Sequence, residues 1–375
     1  MRTEEELAGA LRAAGERAPD EGDLLAGLAL RRRRRTRRRL RMLAAATAVV
    51  LLGVGIGGLV RSGEGEVATP PAPAPRTAPA KRLWPGAVFT MRTVGPGEVL
   101  RHPITGVSPT EVLVLTQVKE TRRRLEVYDT AAGQFRQIAE LGSVRKYNTP
   151  IVAADGVNVA WYTTGEIWTA PLAGGGKARL VTTLPAGRSS VDAISINGDR
   201  IVWSERRGDV WRISLTGGGP ERIPAGKGLR LLRWPWASDV PDNHDNNQRI
   251  VVDLTIGTRQ EVSPRPRSTS LRCGPHWCYG RDSRGDGFLQ RIDGSQLRRV
   301  GAGFDHLQPW SLAPVLNRFV LLKSGVYDIQ TGSTATVGNV QFGLPGSGEP
   351  STIFYWPVTR GTIEVLNLAA VPTAQ

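Results

Sequence analysis

Cysteine and histidine are scarce in this chain: 375 residues hold two cysteines, Cys273 and Cys278, and four histidines. No cysteine stands near the N-terminus, which excludes a lipid-modified N-terminal anchor. A closed zinc site takes four N or S ligands, and none can be assembled from neighbouring positions, so no metal is expected. The histidines at 102, 244, 276 and 306 neighbour no plausible nucleophile. There is no G-x-S-x-G elbow, no H-E-x-x-H and no P-loop. Ser143-Val144-Arg145-Lys146 has S-x-x-K form but lacks the S-D-N and K-T-G partners of that chemistry. The expectation is a chain that is not an enzyme and needs no cofactor. Lysine is also rare, six against forty-three arginines, a bias of GC-rich coding more than of phosphate recognition. The net charge of +15 invites a nucleic-acid reading. Residues 84–375 hold thirty-three Lys/Arg against twenty-five Asp/Glu with no dense stripe, so no nucleic-acid partner is expected.

The most informative stretch lies near the N-terminus. Arg31 to Arg41 has nine arginines in eleven positions, and 42–60 follows with nineteen uncharged residues. At about 1.5 Å per residue such a helix just crosses a hydrocarbon core of about 30 Å. Arginines stay on the cytoplasmic side, so the expected topology is a single-pass cell-membrane protein with residues 1–41 inside and everything after Arg61 outside. A cleaved signal peptide is the competing reading, opposed by the long positive region and the missing A-x-A site. Gly53 and Gly57 form a G-x-x-x-G pair that would let two such helices approach.

Within 1–41, Thr3-Glu4-Glu5-Glu6 has capping-box form, with Leu7, Leu11 and Ala14 following at helical spacing. Pro19 interrupts, and Leu24, Leu25 and Leu28 give a second apolar face. These features, the Ala18-Pro19-Asp20 break and the Arg tract resemble the N-termini of high-GC Gram-positive membrane proteins, some of them partners of envelope-stress sigma factors. The resemblance implies a cytoplasmic regulator bound through residues 1–30 and an anti-sigma-like sensor as an alternative function. No His or Cys occurs there, so the zinc-binding helix of many anti-sigma factors is absent.

Residues 61–83 are rich in Pro and Ala, a stiff extended spacer. Beyond them the chain repeats. Trp168 to Trp211 is 43 residues, as is Gly174 to Gly217, and the same turn glycine recurs at Gly133, Gly257, Gly294 and Gly332. Three of these turns read D-x-x-x-G, at Asp129, Asp253 and Asp328. There the Asp bonds its own turn backbone and the Gly takes positive φ. A period near 40, with about four short strands per unit and no amphipathic helix, means an all-β propeller over 84–375. The count favours seven blades, with six or eight as alternatives. Residues 87–92 are expected to supply the strand that the last unit lacks, closing the ring and removing open edges. The units resemble the TolB-like and WD-repeat-like propellers of bacterial envelope proteins. That resemblance implies a non-catalytic platform, binding an envelope protein or ligand through loops at one mouth of the channel. A propeller enzyme with scattered residues at that mouth is the further alternative.

Several residues are candidates for sites. Cys273 and Cys278 flank a four-residue turn, and a disulfide across that hairpin is expected in an oxidising compartment. The run from Asp239 to Asn247 is the most polar and longest loop of the domain, so Asp242, His244 and Asp245 are candidate contacts. Calcium prefers such oxygen ligands, but the EF-hand glycine and bidentate Glu are missing. Trp234, Trp236 and Trp310 are candidate aromatic contacts. The triplets Arg207-Gly208-Asp209 and Arg284-Gly285-Asp286 sit where hairpin turns need Gly and Asp, and are read as turns.

Overall fold

The computed structural model describes residues 76–119, 122–143, 149–185, 191–239, 243, 245–300, 313–322, 325–338, 341–342, 347 and 349–373. All fall in the unit Pro71–Gln375. The Arg run, and the cytoplasmic stub and membrane span expected at 1–41 and 42–60, lie outside the described residues. Among those described, no helix is long and apolar enough to cross a membrane.

Seven four-stranded sheets make the domain. Sheet I holds Leu100–Gly106, Glu111–Gln117, Arg122–Asp129 and Gln134–Ser143; sheet II runs from Ile151 to Thr183, III from Val191 to Arg222, IV from Arg230 to Glu261 and V from Thr269 to Arg299. Each of these five is an antiparallel meander in chain order. One hydrophobic cluster lies between each pair of neighbouring sheets. Ile104 and Leu125 meet Trp161 between I and II, and Ile194 and Trp203 meet Ala160 and Ile167 between II and III. The seventh cluster joins Val112 and Val114 of sheet I to Ile353 and Val365 of sheet VII, so the ring is closed. A sheet with apolar residues on both faces must be covered on both faces, and stacking round an axis achieves that for every sheet at once.

The 43-residue repeat reappears as register. Trp161 pairs with Trp168 and Trp203 with Trp211, in each case across the second and third strands of a sheet. Trp161 and Trp168 stack with ring centroids 6.4 Å apart. The D-x-x-x-G turns close as their chemistry demands: the amides of Gly133, Gly257 and Gly332 donate to the carbonyls of Asp129, Asp253 and Asp328. The three glycines have φ of 66°, 72° and 70°.

Sheet VII shows how the ring closes. Gln341–Phe342, Ile353–Thr359 and Thr362–Asn367 come from the end of the chain, and Val88–Arg92 completes the sheet antiparallel to Thr362–Asn367. Met91 of that strand is 1% exposed. Sheet VI adds a feature the spacer reading of 61–83 did not contain. Phe319–Leu322, Gly325–Asp328 and Thr334–Thr336 are extended by Thr77–Pro79, parallel to Thr334–Thr336. The turn Asp328–Gly332 leads into Thr334–Thr336, as Asp129–Gly133 leads into the fourth strand of sheet I. Thr77–Pro79 therefore occupies an edge beyond the usual fourth strand. Ala80 and Trp84 then pack into the cluster between VI and VII, with Trp84 edge-on to Phe319 at 5.8 Å. The end of the Pro/Ala-rich stretch is thus part of the domain, because a parallel edge strand needs no side-chain pattern and tolerates Pro79 at its end.

Candidate binding face

In each antiparallel sheet the second-to-third turn and the crossing to the next sheet leave by one end. The first-to-second and third-to-fourth turns leave by the other. These ends define a crossing face and a hairpin face of the ring. Contacts between loops agree: the Gly228 amide in the III–IV crossing donates to Asp209 Oδ1 in the second turn of sheet III (2.8 Å).

The expected contact loop lies on the crossing face of sheet IV. Its first residue, Asp239, turns inward and accepts from the amides of Arg249 and Ile250 at 3.0 Å each, closing the loop at its base. Its far half is tied to sheet V. Asp245 O accepts from Ser270 N (3.0 Å). Asn247 donates to Ser268 O (2.9 Å) and accepts from Leu271 N (3.0 Å). The fully buried Gln248 pairs with both backbone groups of Cys273 (3.0 and 3.2 Å). Beneath the loop Arg272, 1% exposed, donates Nη1 to Asn246 O (2.5 Å) and to Leu271 O (2.9 Å). Desolvation lowers its pKa to about 10 against the pull of Asp239 and Asp245, so it remains a cation at neutral pH. The loop is therefore held to the body at its far half, while Asp245 itself is exposed. Asp242 and His244 lie outside the described residues, as does Trp310.

The tryptophans beside this loop do not form one pocket. Trp234 stands in the first turn of sheet IV, on the hairpin face, and packs against the III–IV cluster. Trp236 packs against the IV–V cluster on the other side of the sheet. Period-two alternation puts residues 234 and 236 on one side of a regular strand; the turn between Arg233 and Trp236 breaks that alternation. Cys273 and Cys278 are directly opposed in register at the end of the first hairpin of sheet V and are bonded to each other. Both are fully buried within the IV–V cluster.

The channel is crossed by the chain itself. In the first loop of sheet VII, on the hairpin face, the described residues 347 and 349–352 reach the other sheets. Ser347 bridges to Val152 of sheet II, and Glu349 accepts from Ser195 Oγ of sheet III and pairs with Arg233 Nε of sheet IV (3.1 Å). Ser351 then donates to Ile104 O of sheet I (2.8 Å), and Thr352 Oγ1 accepts from Gly106 N (2.9 Å). One strap so touches four sheets that are not its own. Burial pushes the Glu349 carboxyl above its ordinary value, against Arg233 and the Ser195 bond. Nearer the crossing face, Asp192 accepts from Ser204 Oγ (2.7 Å) and faces Arg230 Nε at 3.6 Å. Its carboxyl is likewise pushed up by burial. Sequence reasoning missed this strap. The available signal was Glu349 as the single acid in a Gly/Pro/Ser stretch far longer than the other first turns.

No protein-family profile matches the sequence, and no curated protein matches it. Solved structures of similar fold are distant. YCF48 bound to D1 peptide is 11% identical with a TM-score of 0.46, over 75% of this chain and 96% of that one. A TolB candidate from Agrobacterium tumefaciens is 13% identical with a TM-score of 0.34, over 56% and 87%. The dihydro-heme d1 dehydrogenase NirN is 14% identical with a TM-score of 0.41, over 76% and 70%. These likenesses show the fold alone. They also correct the expectation that the chain is not an enzyme. Similar propellers include that dehydrogenase and prolyl endopeptidases, so the fold leaves enzyme status open. The physical reason is that a propeller brings side chains together at its channel mouth from separate sheets, and such a set leaves no contiguous motif in sequence.

Proposed function

We propose that this chain is a single-pass membrane protein whose propeller stands outside the cytoplasmic membrane as a binding platform of the cell envelope. The Arg run followed by nineteen uncharged residues supports the anchor and its direction. The observation that carries the platform is the ring itself, crossed by its own strap from the hairpin face and bearing its longest second turn, Asp239–Arg249, on the crossing face. Loops held on a rigid scaffold are where recognition concentrates. The partner is an envelope protein or ligand that meets this rim.

The test is capture from envelope extracts by the full chain in detergent, wild type against the triple substitution Asp242→Ala, His244→Ala and Asp245→Ala. Exposed loop substitutions stay within about 0.5 kcal/mol of wild-type stability, so reduced capture with an unchanged melting point is the expected result. Capture at full strength by the triple variant would move the site off this loop.

A further inference from the structure

Positive charge outside ion pairs is denser on the crossing face of the ring than in the turns of the hairpin face. The turns between strands on the hairpin face hold, among the described residues, Lys177 and Arg318, the latter buried against Asp328, and the segment that enters on that side adds exposed Arg76, Lys81 and Arg82, with Lys81 paired to Glu364. The crossing face over sheets III–V presents Arg206, Arg207, Lys227, Arg265, Arg267 and Arg284, all exposed. None of the six is in an ion pair among the described residues; of the acids in the same loops, Asp209, Asp239 and Asp282 are engaged by Arg222, Arg249 and Arg299, while Asp245 and Asp286 are exposed. This difference was invisible in the sequence, because basic and acidic residues alternate along the chain and only the topology sorts them by face.

We propose that the crossing face over sheets III–V binds a linear, phosphate-bearing polyanion, with these six cations as its contacts. The cations lie on the turns and crossings of three neighbouring sheets and do not converge on one point, which suits a polymer more than a single anion. Five are arginines, whose planar fork pairs bidentately with phosphate oxygens. A folded protein partner fits these six positions less well than it fits the Asp239–Arg249 loop, since stable protein interfaces are anchored by buried aromatic or apolar side chains and none is exposed beside the cations. Of the exposed large apolar residues, Val157, Ile256 and Leu297 stand on the hairpin face and Val94, Leu100 and Val358 at the crossing ends of sheets VII and I, none of them beside the six cations.

This inference deepens the platform reading and rests on it for the compartment in which the polymer is met. The test uses the full chain in detergent and inorganic polyphosphate, comparing wild type with Arg206→Gln, Arg207→Gln, Arg265→Gln and Arg267→Gln combined. The Arg run at 31–41 is common to both, so the difference between them reports the rim. Wild type should bind with hydrogen-exchange protection at 206–209 and 262–268. The variant should bind at least about tenfold more weakly at ionic strength near 0.15 M, with the log–log salt slope reduced by about 3 to 4. Equal binding by the variant, or protection confined to other loops, overturns the proposal. So does tighter binding to poly-glutamate or to phosphatidylglycerol vesicles than to polyphosphate. The Asp242/His244/Asp245 variant separates the two readings: its removal of acids should leave or strengthen polyphosphate binding while it weakens capture of a protein partner.

Discussion

Asp129, Asp253 and Asp328 occupy one motif and play two parts. All three shape a turn, but Asp328 is fully buried and also accepts a two-point pair from Arg318, Nε to Oδ1 at 2.9 Å and Nη2 to Oδ2 at 2.8 Å. Arg318 donates its remaining Nη2 proton to Pro372 O (2.8 Å), which ties the chain terminus to sheet VI. Removing one partner of a buried pair leaves the other charge uncompensated, at a cost of about 3–5 kcal/mol. Asp328→Ala should therefore lower stability by that amount in denaturant melts, whereas Asp253→Ala should cost no more than about 1 kcal/mol. Equal losses would mean the pair adds nothing to the turn. The turn was legible in the sequence, since its chemistry is local. The pair was not, because Arg318 and Asp328 read as two ordinary surface charges until the sheet brings them together. Glu349 is the same lesson at longer range. Its folded carboxyl is raised above the ordinary value of 4.5, so the fold holds the proton more tightly than the unfolded chain does. Its contribution is then complete below about that value and is lost as pH rises through the folded one. Asp192 shares the sign. Glu349→Gln should match wild type near pH 4 and exceed it progressively towards pH 7 in thermal midpoint, with a residual slope left by Asp192. Parallel curves for the two proteins would show that the carboxyl titrates normally.

Two strands from before the first repeat complete two different sheets, and they differ in how visible they were. Val88–Arg92 alternates and buries Met91, and the last unit lacked a strand, so pattern and arithmetic both pointed to it. Thr77–Pro79 has three residues, no alternation and no apolar side chain larger than alanine and proline; only backbone pairing places it. The strap through 347–352 was hidden for a related reason, since its bonds run to sheets I–IV and leave no periodic trace. These differences predict an order of stability. A chain beginning at Pro71 should be the most stable. One beginning at Lys81 loses the three-residue edge and should melt slightly lower, with sheet VI open to pairing with another chain. One beginning at Pro96 loses Met91, Trp84 and a whole ladder, and should aggregate or be proteolysed. Size-exclusion profiles and thermal midpoints of the three measure this. Indistinguishable midpoints for the starts at Lys81 and Pro96 would mean that the ring does not depend on Val88–Arg92.

At the scale of the whole molecule, the period in the sequence reached the ring, and the ring sorts the charges. The proposed direction of the chain through a membrane rests instead on residues 31–60 and on electrostatics. Moving one charge against about 100 mV costs roughly 2.3 kcal/mol, so nine arginines resist translocation by on the order of 20 kcal/mol. The apolar stretch that follows is just long enough to span. The propeller should then be reachable from outside and the stub should not. Protease added to intact spheroplasts is expected to remove a C-terminal epitope and to leave an N-terminal epitope, before Arg31, on a short protected fragment. The buried disulfide offers a second readout that does not depend on cleavage. Cys273 and Cys278 are fully enclosed in the IV–V cluster, so thiol labelling should need both reduction and unfolding, and a cytoplasmic domain would need unfolding alone. A C-terminal epitope that survives protease in intact spheroplasts but is lost after lysis would reverse the orientation. It would place the basic crossing face in the cytoplasm, where the polyanion it meets would be a different one.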